Sequence, residues 1–365
     1  MPGEFHLRLK RLRARIQSGG ADATVVTHHP NVYYLTGFTG SAGALFVEPD
    51  RATLFTDGRY TVQARAELKS TGVKAEINRG SLPSIVGSHI AARRRRTALR
   101  VSYDPSHTTV SAQHELFRAA GPRVRWQDEQ GWVEALRVIK SDSELDQMRQ
   151  AARLISDVFE QVLKEIKPGV SELDLAAEVD FLMRKFGAEG PSFETIVASG
   201  PRAALPHARP TSKRLRRNEL VVLDLGAILR HYCSDMTRTV YLGKAPKRVK
   251  TWYKAVLEAQ AAGIAALGAG VEAGEPDLAA RQVLDSYGLG KYFVHSTGHG
   301  LGIEVHEDPR LAAGQKRLLE AGMVVTVEPG VYMEGVGGIR IEDEVAIYKG
   351  RRETLTTAPR ELLEL

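Results

Sequence analysis

A chain of 365 residues exceeds the size that one hydrophobic core usually serves, so two domains are expected. Its composition, 43% hydrophobic and 26% charged with one cysteine, Cys233, excludes a transmembrane bundle and a disulfide-stapled scaffold and points to a reducing, cytoplasmic compartment. The formal charge of +6 gathers in basic runs at 93–96 and 209–217, but no aromatic interleaving or nucleic-acid motif accompanies them, so they read as solvated surface.

In chain order, Phe5, Leu9, Leu12 and Ile16 share one face of an N-terminal helix. Strands are expected at 23–27, 32–35, 44–47 and 52–56, then a helix at 60–69 and a strand at 73–77. A helix at 83–92, a strand at 98–103, a helix at 110–120 and a strand at 124–127 complete an α/β layer domain. The segment T-G-F-T-G-S-A-G at 36–43 is glycine-rich, but no helix follows it. It therefore reads as a tight connection, not a phosphate loop.

Residues 136–143 mark a boundary, where Ser141 or Ser143 can cap a long helix running to about residue 167, ahead of Pro168-Gly169. Further helices are expected at 173–186, 250–267 and 276–287. This second region repeats itself. The tetrapeptide D-L-A-A begins at Asp174 and again at Asp277. Asp224 in L-D-L-G and Glu328 in V-E-P-G are separated by nearly the same interval, as are Asp235 and Glu342. Two αα-ββ halves facing each other would bring the four carboxylates into one pocket.

The densest stretch is V-H-S-T-G-H-G-L-G-I-E-V-H-E at 294–307, with His295, His299 and His306 among Gly298, Gly300 and Gly302. It lacks H-E-x-x-H, and its glycines disfavour a helix, so a strand or strand–loop is expected. Buried carboxylates are costly unless paired or cation-bound. Four of them with His299 suit two divalent ions about 3.5–4 Å apart, which would acidify a water. Oxygen-rich ligation with one imidazole favours Mn²⁺, with Co²⁺, Fe²⁺ and Zn²⁺ as alternatives. His207 or His306 could donate a hydrogen bond to a carbonyl oxygen as charge develops on it. Arg340, two residues before Glu342, could orient a ligating carboxylate.

The segments L-D-L-G, S-D-M-T-R-T, H-S-T-G-H-G-L-G-I-E-V-H-E, T-V-E-P-G-V-Y and G-G-I-R-I-E-D-E resemble the pita-bread metallopeptidases, in the branch of Xaa-Pro aminopeptidases and prolidases. N-V-Y-Y-L-T-G-F-T-G-S and T-D-G-R-Y resemble a creatinase-type N-terminal domain, so the resemblance covers essentially the whole chain. It implies an α/β creatinase-like domain at residues 1–130 and a linker at 131–140. An α+β pita-bread catalytic domain with an internal pseudo-two-fold repeat would occupy 141–365.

The same resemblance implies a ligand set of Asp224, Asp235, His299, Glu328 and Glu342, with Asp235 and Glu342 bridging both ions. Asp224 would complete one site, and His299 with Glu328 the other. It places His207 and His306 at the substrate carbonyl, His295 at the proline end and Glu328 as proton shuttle. It also implies a homodimer acting on Xaa-Pro peptides, with the N-terminal domain of one subunit near the other's active site. No membrane or nucleic-acid partner is expected.

The F-T-G-S-A-G loop and the H-S-T-G-H form rank an Xaa-Pro aminopeptidase first and an Xaa-Pro dipeptidase (prolidase) second. Methionine aminopeptidases usually lack the N-terminal domain, and creatinase lacks the metal carboxylates. A non-catalytic pita-bread peptide-binding protein would not need all five ligands.

Overall fold

The computed structural model describes residues 2–93 and 98–365, so the arginines at 94–96 of the first basic run lie outside the described residues. The chain divides into two units, Met1–Arg137 and Val138–Leu365.

The first unit runs α1 (Pro2–Ser18), β1 (Ala23–Val26), α2 (His29–Thr36), β2 (Ala44–Val47), β3 (Ala52–Asp57) and α3 (Thr61–Glu67). It continues with β4 (Lys74–Asn78), α4 (Leu82–Ala91), β5 (Leu99–Tyr103), α5 (Val110–Ala120), β6 (Val124–Asp128) and α6 (Glu134–Arg137). The six strands form one sheet in the order β4-β3-β2-β1-β5-β6. β1, β5 and β6 are parallel neighbours, and β2 is antiparallel to both β1 and β3. Val25, Phe46, Phe55 and Val101 from the sheet pack with Val86 and Ile90 of α4 and Leu116 of α5. Leu9, Leu12 and Ile16 of α1 are buried as their spacing requires.

One expectation fails here: residues 32–35 are not a strand but the core of α2. The β-branched and aromatic run V-Y-Y outweighed two punctuation signals in the sequence. Pro30 stands in the first helical turn, and Gly37 closes the helix in the left-handed region at φ 73, its N–H bonded to the Tyr33 carbonyl.

The second unit begins with α7 (Asp142–Val162) and α8 (Glu172–Lys185). Ser141 is the N-cap of α7 and forms a capping box with Glu144. Then come β7 (Gly190–Pro191), β8 (Ile196–Ser199), β9 (Glu219–Leu225), β10 (Ala227–Leu229), β11 (Tyr232–Cys233) and β12 (Met236–Leu242). The second half holds α9 (Lys247–Ala266), α10 (Glu275–Ser286), β13 (Gly298–Gly300), β14 (Glu307–Leu311) and β15 (Val324–Val327). It ends with β16 (Gly330–Met333), β17 (Gly337–Arg340), β18 (Asp343–Tyr348) and β19 (Arg351–Thr354). β8, β9 and β12 form one antiparallel sheet, and a second has the order β14-β13-β15-β18-β19. Ile155, Phe159, Val179 and Met183 of α7 and α8 share a core with Val221, Leu223 and Val240 of β9 and β12. Among the described residues no helix is long and apolar enough to cross a membrane.

The two halves share a buried clamp, but not at the aspartates that the tetrapeptide pairs: Asp174 is exposed and caps α8 through Ser171, and Glu172 takes the buried position instead. Glu172, in the first turn of α8, is fully buried and accepts hydrogen bonds from Ser199 N and Oγ, Thr211 N and Oγ1, and Arg202 Nε. In the other half Asp277, in the first turn of α10, is likewise fully buried and accepts from Thr297 N and Oγ1. Each helix thus clamps the hydroxyl residue preceding Gly200 or Gly298. Lys213 of the second basic run is spent on Glu219 at 2.8 Å.

Removing the Glu172 carboxylate strands buried donors and the Arg202 guanidinium. Glu172→Ala is expected to lower unfolding stability by about 3–5 kcal/mol in urea titration. A loss below about 1 kcal/mol, the range of an exposed pair, would contradict this account of the clamp.

Candidate metal centre

Strand alternation delivers the first carboxylate. Val221, Leu223 and Leu225 of β9 enter the core with α7 and α8, so Asp224 faces the other side. Its cross-strand partner Thr237 shares that face. In β15, Val325 and Val327 enter a core while Thr326 points away, and Glu328 follows just past the strand end. Asp235 lies between β11 and β12, and Glu342 between β17 and β18. Only Asp224 therefore sits within a strand, and the other three stand at strand ends. The reason is geometric. Same-face residues of one strand are roughly 6.6 Å apart and project in parallel, so convergence on a point uses strand ends.

His299 is the middle residue of β13. A Cβ on Gly298 would lie 2.0 Å from the Thr326 carbonyl oxygen, and one on Gly300 2.1 Å from that of Asp308. The flanking glycines are thus demanded by backbone packing. His299 Nδ1 lies 3.0 Å from the Gly300 carbonyl oxygen, which can only accept. This hydrogen-bond network assigns the ring hydrogen to Nδ1 and leaves a lone pair on Nε2. Nε2 stands 3.6 Å from Asp235 Oδ2 and 3.5 Å from Glu328 Oε1. Burial holds the His299 pKa at about 4, so the ring is neutral.

One donor atom each from Asp235, His299 and Glu342 lie within 4.8 Å of one another. Asp224 Oδ1 and Glu342 Oε1 are buried and without a hydrogen-bond partner. Burial, then the neighbouring carboxylates, raise Asp235 and Glu342 well above the usual range. Burial pushes Glu328 up to about 8 despite the Arg340 guanidinium. Lone pairs gathered on lone pairs in a buried pocket are relieved by protons or by a bound cation. The residues present therefore suit divalent metal.

Around the centre is a cavity of about 640 Å³, within the usual range for small-ligand sites. His207, His295, His306 and Arg340 all line it. The His306 ring meets that of His299 edge-on at 4.5 Å. Arg340 Nη2 lies 2.6 Å from Asp224 Oδ2, so it orients the carboxylate of the other half and not Glu342. His295 is committed at both nitrogens. Nδ1 donates to the Ser296 carbonyl at 2.8 Å, and Nε2 accepts from Tyr332 Oη at 2.9 Å. Tyr332 in turn accepts from Arg340 Nη1 at 2.8 Å.

The sequence reading missed Tyr332, although an aromatic hydroxyl four residues after Glu328 was a signal. It also missed Thr237, whose Oγ1 donates to Glu342 Oε2 at 2.7 Å, and Glu344, which accepts the Asp235 N–H at 2.8 Å. Arg310, too, went unremarked. It lines the cavity and lies directly across from His299 in the β13–β14 pair.

Residues 146–349 match metallopeptidase family M24, and residues 8–139 match the creatinase/prolidase N-terminal domain. The chain belongs to metallopeptidase family M24, with a creatinase-like N-terminal domain and a pita-bread catalytic domain, as its motifs led us to expect. It is 35% identical over 357 residues to the Xaa-Pro dipeptidase of Pyrococcus furiosus, covering 98% of this chain and 99% of that one. The structure of an Xaa-Pro dipeptidase from Bacillus anthracis matches it with a TM-score of 0.93 at 37% identity, covering 99% of this chain and 100% of that one. The X-Pro aminopeptidase structure from Thermotoga maritima matches with 0.88 at 33% identity, covering 96% of this chain and 100% of that one.

Without metal, Asp235, Glu328 and Glu342 keep protons in the folded state that the unfolded chain has released. Stability must then fall as pH rises from about 4.5 towards about 8. Chelator-stripped protein is expected to melt lower near pH 8 than near pH 5, and Mn²⁺ to raise its Tm more near pH 8. A stripped protein whose Tm rises over that interval contradicts this reading.

Proposed function

We propose that this metallopeptidase is a proline-specific exopeptidase whose preferred substrate is an Xaa-Pro dipeptide. The observation carrying the dipeptide reading is Arg310. It shares a face with His299, and no acidic partner is found for it among the described residues. A dipeptide places its own C-terminal carboxylate one residue beyond the scissile bond, where a guanidinium can take it in a charge-assisted pair. The Xaa-Pro dipeptidases among the relatives support the same reading, which reverses the order ranked from sequence.

In this proposal Asp224, Asp235, His299, Glu328 and Glu342 would hold two divalent ions of the Mn²⁺ class. Bound ions supply Lewis acidity and lower the pKa of water. His306 and His207 donate N–H groups to the carbonyl oxygen as it gains charge. Glu328 moves the proton from water to the leaving nitrogen. That nitrogen belongs to a tertiary amide with no N–H, so the site gains nothing from an acceptor there. His295 meets the requirement: with both nitrogens engaged, it offers only the carbon face of its ring to the proline. Arg340 and Tyr332 keep that ring and the Asp224 carboxylate in place.

The second reading, an Xaa-Pro aminopeptidase acting on longer peptides, is supported by the Thermotoga structure and by the F-T-G-S-A-G loop. Hydrolysis of Xaa-Pro and Xaa-Pro-Yaa with added Mn²⁺ separates the two. We expect the dipeptide to have the higher kcat/KM. Arg310→Ala should raise KM for the dipeptide by about tenfold to a hundredfold and leave the tripeptide unaffected. Preference for the tripeptide, with Arg310→Ala silent, supports the aminopeptidase.

His306→Ala is expected to lower kcat by roughly 10²–10³ with metal content unchanged. Loss of metal at constant rate per bound ion would make His306 a ligand instead.

A further inference from the structure

The peptidase reading leaves three ligand-type side chains of the N-terminal unit unused. β1, β5 and β6 are adjacent and parallel, and the loops beyond their carboxyl ends gather on one edge of the sheet. That edge is where open α/β sheets build ligand sites. His28 follows β1, His107 follows β5 and Glu134 follows β6. Distant in sequence, they meet because the parallel strands align their loops.

His107 Nε2 lies 3.2 Å from Glu134 Oε1, and His28 Nδ1 3.8 Å from the same oxygen. One donor atom from each residue lies within 4.8 Å of the others. Bonds of about 2.0–2.2 Å in tetrahedral geometry put donor atoms roughly 3.3–3.6 Å apart, so the trio is already near that spacing. A cavity of about 20 Å³ beside it has room for one small occupant.

The surroundings hold the donors in place. Asn31 donates to Glu134 Oε1 and is itself gripped by Arg137 Nη1 at 2.8 Å. Thr27 Oγ1 donates to the His107 carbonyl, and Asp104 accepts from both Ser106 N and Gly131 N, tying the second and third loops together. Burial alone would raise the pKa of Glu134, but the nearby His28 and the hydrogen bond from Asn31 outweigh it and hold the group at about 2. The carboxylate is an anion throughout the physiological range.

We propose that His28, His107 and Glu134 form a transition-metal site of the zinc class in the N-terminal unit, with a fourth position for water or an exogenous ligand. Two imidazoles and a carboxylate are a sufficient protein ligand set for Zn²⁺. In this conformation the rings are stacked, with centroids 3.6 Å apart and planes 7° from parallel. Parallel rings cannot both aim an in-plane lone pair at one ion, so loading turns one ring about its Cβ–Cγ bond. The ion would pin the three loops together, and its occupancy is independent of the M24 centre.

The test uses the full chain carrying Asp235→Asn and Glu342→Gln to weaken the M24 centre. Zn²⁺ is titrated into it calorimetrically, with and without His28→Gln and His107→Gln. The proposal expects one equivalent of Zn²⁺ to disappear with the two histidines. Equal stoichiometry in both chains overturns it. A second measurement does not depend on those variants folding. In the ¹⁵N-histidine-labelled parent, Zn²⁺ should shift His28 Nδ1 and His107 Nε2. Unmoved signals would mean that the pair is a metal-free stack hydrogen-bonded to Glu134.

Discussion

Asp224, Asp235, Glu328 and Glu342 are drawn together on the wall of one cavity and largely buried there. Two unit charges about 4 Å apart repel by roughly 4 kcal/mol even at an effective dielectric of 20. Four such groups cannot all ionise there unaided. The raised pKa values of Asp235, Glu328 and Glu342, the unpartnered oxygens on Asp224 and Glu342 and the exposed lone pair of His299 express one constraint. The catalytic unit is built to hold that arrangement. Alternation in β9 and β15 keeps apolar side chains outside, the strand ends aim the carboxylates inward, and Glu172 and Asp277 lock the two halves internally.

Arg340 is the buried cation that the chain pairs with a carboxylate of the centre. It neutralises Asp224, bonds Tyr332 and through it fixes the tautomer of His295. A single guanidinium therefore links the charge balance of the centre to the wall of the substrate cavity. A lysine could not make this planar, multi-donor connection. The histidines divide by their environment. Those at 295 and 299 are neutral, the first engaged at both nitrogens and the second at Nδ1, while His306 stays at the cavity surface with its pKa lowered by burial.

Much of this was legible in the sequence because the chemistry is concentrated in short motifs. Each carboxylate is embedded in its own apolar run; the repeat of D-L-A-A pointed to two halves but paired Asp174 with Asp277, where the structure buries Glu172. What escaped was the long-range placement. Tyr332 and Arg310 are ordinary in sequence and become informative only through a hydrogen-bond chain and a cross-strand register. The helix at His29–Thr36 was read as a strand because β propensity was weighed above its Pro and Gly punctuation. His28, His107 and Glu134 had no sequence signature at all, since their meeting depends on the order of three parallel strands.

The central claim is that the pocket exists to hold a pair of divalent ions. Diffraction from Mn²⁺-loaded crystals, recorded at the manganese absorption edge, addresses it directly. The account predicts two anomalous peaks about 3.5–4 Å apart, both contacted by Asp235 and Glu342, with His299 Nε2 touching only one. A single peak, or two peaks not shared by those carboxylates, would contradict it.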